Sequence, residues 1–206
     1  NTPWSGHYTV QSAIWVTAHT TQFAQPGWQY LDQSSGYLPV GGSYVTLKSP
    51  DGTNWSTVLE TIDAKQPQHL SFKITGGLST SMVHIWETNG TKTFEHVADS
   101  QPKHGNFSYT FDPGSLYSLT TTTGQGKGTA EPPPSKPFPF PYQDSFETTP
   151  LQKAPKYLSD QDGAFEVHSC LYRSGQCLEQ VIVAKPIPWG ALPYPWTLAG
   201  DENWTN

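Results

Sequence analysis

Ser43-Tyr44-Val45-Thr46-Leu47-Lys48, the turn Pro50-Asp51-Gly52 and then Thr57-Val58-Leu59-Glu60-Thr61-Ile62 form the stretch that decides the fold. Apolar and polar residues alternate on both sides of a turn tripeptide, the pattern of half-buried strands joined by a tight connection. The pattern continues outward. His69-Leu70-Ser71-Phe72-Lys73-Ile74-Thr75 runs into Gly76-Gly77, and Met82-Val83-His84-Ile85-Trp86 meets Thr91 to Val97 across the hairpin dipeptide Asn89-Gly90. Phe107-Ser108-Tyr109-Thr110-Phe111 and Leu116 to Thr121 complete the set. About seven short strands at this spacing predict a β-sandwich over residues 41–124.

Residues 1–40 read differently. Ala13-Ile14-Trp15-Val16-Thr17-Ala18 is a nearly continuous apolar run, which predicts a strand buried on both faces. The polar cluster His19-Thr20-Thr21-Gln22 follows, then Gln25-Pro26-Gly27-Trp28-Gln29-Tyr30-Leu31, read as a short helix entered at Pro26. Strand, polar end and helix make one βα unit of a parallel sheet or barrel. Residues 125–142 are a Pro/Gly-rich linker, with Gly124, Gly126 and Gly128 ahead of Pro132-Pro133-Pro134, Pro137, Pro139 and Pro141. A further segment, 143–206, has too few strand patterns for a closed core and reads as a truncated domain.

Charged residues are 14% of the 206 and aromatics 13%, so most of the chain has the large apolar rings a folded core needs. A net charge of −6 with no Lys/Arg run argues against nucleic acid as a partner. No transmembrane segment is predicted, because no stretch of the required length is apolar. Four of the six Asn open glycosylation sequons, at Asn54, Asn89, Asn106 and Asn203. Cys170 and Cys177 flank a short loop containing Arg173-Ser174-Gly175, which suits a disulfide in an oxidising compartment; two free thiols in a cytosolic protein are the alternative. Sequons and cysteines together place the chain in the secretory pathway, secreted or lysosomal.

Catalytic chemistry is hard to find. Glycoside hydrolysis needs two carboxyl groups roughly 5 to 9 Å apart; no Asp or Glu lies between His19 and Leu31, and Asp51, Asp63, Asp99 and Asp112 sit mostly in turn sequences. The seven His show no i, i+4 pair, so no metal site is read from them. There is no G-x-S-x-G elbow, and Gly124-x-Gly126-x-Gly128 leads into prolines, not a helix. Aromatic residues remain. Trp and Tyr stack on sugar rings, and Trp4, in the turn-rich Ser5-Gly6-His7 context, is a better binding candidate than Trp15, which reads as core.

Pro3-Trp4-Ser5-Gly6-His7-Tyr8, Ala18-His19-Thr20-Thr21-Gln22-Phe23 and Gln25-Pro26-Gly27-Trp28 resemble glycoside hydrolase family 59, the galactosylceramidase family. Gly41-Gly42-Ser43-Tyr44-Val45, Tyr142-Gln143-Asp144-Ser145-Phe146, Gly163-Ala164-Phe165-Glu166 and Gly200-Asp201-Glu202-Asn203-Trp204-Thr205-Asn206 extend the resemblance along the chain. It implies a mainly β carboxy-terminal fragment: the last strand and helix of a (β/α)8 barrel over 1–40, the β-sandwich over 41–124, and the start of a lectin-like jelly-roll domain over 143–206. It also implies retaining hydrolysis of a β-galactoside or galactosylceramide, with both catalytic glutamates on barrel strands upstream and none in this chain. Trp4, His19 and Thr20 would then line the pocket wall. No cofactor is required; a structural Ca2+ held by Asp144 and Glu147 is the expected metal, since hard carboxylate oxygens suit it. The competing reading is a non-catalytic, secreted carbohydrate-binding module.

Overall fold

The computed structural model describes residues 3–182 and 194–200. Helix α1 spans Ser12–Thr21. Short strands β1 (Gln29–Tyr30) and β2 (Gly36–Tyr37) lead into β3 (Ser43–Lys48), β4 (Trp55–Glu60), β5 (Gln68–Lys73), β6 (Val83–Thr88), β7 (Glu95–Ser100), β8 (Asn106–Phe111) and β9 (Leu116–Thr120). Then come β10 (Leu158–Asp162), β11 (Phe165–Ser169), β12 (Gln176–Gln180) and β13 (Trp196–Ala199). The chain forms two compact units, one from Val10 to Thr129 and one joining Asn1–Thr9 to Ala130–Asn206.

The first unit is a two-layer β-sandwich of unequal layers. One layer is a seven-stranded antiparallel sheet in the order β1-β3-β4-β9-β6-β7 with β2 beside β3; the other is the β5–β8 ribbon. Alternation decides which side chains meet between them. Trp55 and Leu59 of β4, Val83 and Ile85 of β6, and Tyr117 and Leu119 of β9 face Phe107 and Phe111 of β8 in one core. Phe72 stacks on Phe107 at 4.6 Å, and Phe111 meets Tyr117 edge-on at 4.9 Å. Burying these rings supplies on the order of 2–3 kcal/mol each before entropy is counted. Strand β3 starts where expected because Gly42, at φ +111°, passes so close to the Glu60 carbonyl that any Cβ would clash with it.

Strand β9 is buried on both faces, Tyr117 and Leu119 toward the ribbon and Ser118 and Thr120 away from it. The outer face is covered by α1, and here the sequence reading is corrected twice. The run Ala13–Ala18 is helix, not strand, and Pro26-Gly27 is a turn, not a helix start. Trp15, Ala18, His19 and Phe23 recur at helical spacing, and three of them form an apolar cluster with Phe94 and Trp86, while Ile14 and Val16 stay exposed. A strand would have split that face. Trp28 N–H donates to the Gln25 carbonyl across Pro26-Gly27, with Gly27 at φ +95°, a type II turn that fits Pro and then Gly at its centre.

In the second unit, β10 pairs with β13 and β11 with β12, two separate antiparallel pairs. The proline segment is more than a spacer. Phe138 is buried, with Trp4, Tyr142 and Tyr157 around it at 5.1, 5.3 and 6.0 Å.

Candidate functional site

The polar end of α1 is where the sequence placed a site. His19 has no exposed surface, and its Nδ1 lies 2.9 Å from Ser118 Oγ while its Nε2 lies 2.8 Å from Thr88 Oγ1. Ser118 Oγ–H donates to the His19 carbonyl at 2.8 Å, and the Thr88 oxygen accepts the Phe94 N–H at 2.8 Å. The network therefore assigns the proton to Nδ1, with Nε2 accepting from the Thr88 hydroxyl. A neutral imidazole satisfies every partner; a charged one would sit in an apolar cavity against Phe23 and Phe94. Burial accordingly lowers its pKa to about 4. The structure puts His19 in the interior, not on an accessible wall, where it fastens the helix to β6 and β9.

Thr20, next along, is exposed. Beside it Gln22 clasps the chain: its Nε2 donates to the Gly126 carbonyl at 3.0 Å and its Oε1 accepts the Gly126 N–H at 2.9 Å. Gln22, Gln25, Trp28, Thr122 and Gln125 line an adjacent notch of about 240 Å³, amides around one indole. A larger groove of about 460 Å³ opens between the sandwich layers, among Tyr37, Tyr44, Trp55, Phe72 and Phe107. Trp4 belongs to the other unit. Its Nε1–H donates to the Lys136 carbonyl at 2.7 Å and its ring packs edge-on against Phe138, so much of the indole is already used in packing.

Asp144 and Glu147 are the expected calcium ligands. Asp144 Oδ1 accepts the Phe146 N–H at 2.7 Å, and Glu147 Oε1 accepts the Gln176 N–H at 2.9 Å. Calcium takes about six to eight oxygens, and among the described residues no third His, Cys, Asp or Glu joins these two. The pair does not make a cage by itself.

Cys170 and Cys177 are bridged, Cα atoms 5.1 Å apart, across the loop between β11 and β12. A crosslink closing so short a loop stabilises by about 2 kcal/mol through the entropy of the unfolded chain. Replacing both cysteines by serine is expected to lower the unfolding free energy of this unit by that amount and leave the sandwich transition unmoved; two-probe urea melts check it. Among the sequons, Asn106 is exposed, while Asn54 and Asn89 are half-buried. Asn89 is held by its own loop: Nδ2 donates to Glu87 at 2.8 Å and Oδ1 accepts the Thr91 and Lys92 N–H groups, each at 2.8 Å. Asn203 lies outside the described residues.

Two constellations escaped the sequence reading. Glu87, the one buried carboxylate among the described residues, accepts hydrogen bonds from Asn89, Ser115 and Tyr117 on one oxygen and from Lys92 on the other, at 2.8, 3.1, 3.0 and 2.5 Å. Burial pushes its pKa up, but the bonds from Lys92, Tyr117 and Ser115 outweigh burial and hold it below the ordinary value. His84, His96 and Asp99 form a second cluster, on the outer face of the sheet. Helical i, i+4 spacing cannot detect a group assembled across a hairpin.

Fold and site define a mainly β protein: a sandwich with a helix docked by an aromatic cluster and a buried neutral histidine. No family model matches the chain. Galactocerebrosidases match it over 99% of its length: those of Macaca mulatta and Homo sapiens are each 36% identical, and that of Danio rerio is 34% identical. The chain spans about a third of these relatives, 34% of the first two and 35% of the third. Among solved structures, a GH30 endoxylanase from Clostridium papyrosolvens aligns with a TM-score of 0.46 at 16% identity, covering 54% of this chain and 28% of that one. A family 44 xyloglucanase from Paenibacillus polymyxa aligns with a TM-score of 0.38 at 17% identity, over 42% and 17%. The resemblance to galactocerebrosidases seen in short motifs is thus a resemblance of the whole chain.

Proposed function

We propose that this chain is the carboxy-terminal part of a retaining β-galactosidase of galactosylceramidase type, working in the secretory pathway or lysosome or outside the cell. The observation that carries the reading is the 34–36% identity to galactocerebrosidases over 99% of the chain. In this reading residues 1–40, with α1 as their helical part, close the end of a (β/α)8 barrel, the sandwich braces it, and residues 143–206 begin a lectin-like domain. The catalytic glutamates are supplied by barrel strands upstream. Of the expected wall residues, Thr20 keeps an accessible hydroxyl for a galactosyl substrate, and His19 positions it by pinning the helix end from below. The Cys170–Cys177 bridge and the exposed Asn106 sequon support the secretory compartment.

The test is an aryl β-galactoside assay. The purified 206-residue chain is expected to give no turnover, and a longer parent chain containing it to give turnover that inverts no anomeric centre. Activity that copurified with the 206-residue chain would sink the reading. A carbohydrate-binding module is the second reading, favoured by the aromatic groove of about 460 Å³ between the layers. Calorimetric binding of galactose or lactose to the isolated chain, abolished by Tyr44→Ala, would favour it.

A further inference from the structure

We propose that His84, His96 and Asp99 form a binding site for a borderline divalent transition metal, with Zn2+ as its natural ion class. Strand β7 is the edge of the large sheet and pairs with β6. Asp99 sits directly across from His84, so both point to the outer face. His96 is three residues before Asp99, a separation that normally puts two strand residues on opposite faces. A bulge removes that obstacle: the register runs Ile85↔Ala98 and then Trp86↔His96, leaving Val97 as the extra residue. All three side chains therefore share one face.

The geometry is already close to that of a ligand set. His84 Nδ1 and His96 Nε2 each lie 2.7 Å from the same oxygen, Asp99 Oδ1, and the three atoms lie within 4.8 Å of one another. Ligands about 2.0–2.1 Å from a tetrahedral ion stand roughly 3.3 Å apart. The two N–O separations need to open by about 0.6 Å, a small side-chain rotation at a site that is partly exposed. Each neutral histidine moves its proton to the other ring nitrogen, Nε2 of His84 and Nδ1 of His96, so the nitrogen facing Asp99 is freed and an ion replaces two N–H···O bonds without a positively charged ligand against it. Two imidazoles and one carboxylate suit Zn2+, Cu2+ or Ni2+ better than Ca2+ or Mg2+, and three protein ligands leave a position for water. Water reaches the site, because the side chains of His96 and Asp99 are 41% and 44% exposed.

Nearby chemistry supplies the readout. The Trp86 ring lies tilted at 5.4 Å from the His96 ring, close enough for a bound Cu2+ or Ni2+ to quench its fluorescence. The experiment titrates the full 206-residue chain, stripped with chelator, with Zn2+ by calorimetry, Co2+ by visible absorption and Cu2+ by tryptophan quenching. One equivalent should bind, and His96→Gln and Asp99→Asn should each weaken binding more than tenfold while urea melts show the fold intact. His104→Gln, a surface control, should bind as the wild type does. The thermal midpoint should rise with Zn2+ in the wild type and not in His96→Gln. Absence of any one-equivalent binding overturns the proposal. So does affinity unchanged in a His84→Gln/His96→Gln double variant, which would place the ion elsewhere. If the double variant does not fold, the two single variants and the loss of Trp86 quenching decide.

Discussion

Replacing Glu87 by alanine is expected to cost the sandwich unit about 3–5 kcal/mol, the cost of breaking a buried charged network on one side. The carboxylate is the shared acceptor for Tyr117 O–H, Ser115 O–H and the Asn89 amide, and the counter-ion of Lys92. Alanine removes the acceptor that these donors share, at the desolvation cost of each group left unsatisfied. Tyr117 suffers most, because it is itself a core residue whose hydroxyl also accepts the Asp112 N–H at 3.0 Å. Glu87→Gln keeps the acceptor for Asn89, Ser115 and Tyr117 and loses the charge and the acceptor for Lys92, so its cost should be about 1–2 kcal/mol. Urea midpoints followed by tryptophan fluorescence measure both. A loss within about 1 kcal/mol for Glu87→Ala would mean that the network forms at no net gain. The same carboxylate has its pKa held low in the folded state, so its contribution is present above the ordinary carboxylate pKa and is lost as pH falls through the folded value.

Acidification below neutrality is expected to destabilise the same unit earlier, through His19. The ordinary histidine pKa of 6.5 falls to about 4 in the folded protein, with burial as the cause. Above pH 6.5 both states hold the ring neutral and the term is zero. Between that value and about 4 the unfolded chain takes up a proton that the folded one refuses, so stability falls with pH. At pH 4.5 the loss is about 2–3 kcal/mol, and below the folded pKa it grows no further. A His19→Gln chain should show a flatter pH profile over this window, whatever its stability at pH 7. Equal slopes in the two proteins would show that the imidazole reaches water and that the seal formed by Phe23, Phe94 and α1 is open.

The resemblance to galactocerebrosidases gives this pH dependence a context. If the longer enzyme proposed above works in an acidic compartment, a histidine that must stay neutral favours keeping α1 seated by further packing from the rest of the chain. The parent should then show a smaller acid loss than the isolated 206 residues, a comparison that the same melts make.

The sandwich strands were legible because each carries its own evidence. Ser43–Lys48 alternates, is bounded by Gly42 and by Pro50-Asp51-Gly52, and forms β3 with the predicted bounds. Leu116 to Thr121 and Phe107 to Phe111 were likewise placed to within a residue of β9 and β8. Local alternation and turn residues are short-range properties, so a reader of the chain has them in full. The disulfide was legible for the same reason, since its two ends are seven residues apart. By contrast, Ala13–Ala18 reads as a strand buried on both faces and folds as a helix, because the choice between the two rests on what lies opposite. The partners of α1 are Ser118, Thr88 and Phe94, which are about 70 to 100 residues away in sequence. His19 reads from sequence as a polar residue at an open end because nothing local says that two hydroxyls from β6 and β9 cover it. The His84–His96–Asp99 group depends on strand pairing and on a single extra residue at Val97, and Glu87 on a tyrosine from β9. Thus the amino-acid order alone determined where strands begin and turn, which cysteines join and which broad family the chain resembles. Burial of His19 and Glu87, the facing of the helix and the meeting of three metal-type ligands were decided only by tertiary structure, because each arises from contacts between segments that no local pattern relates.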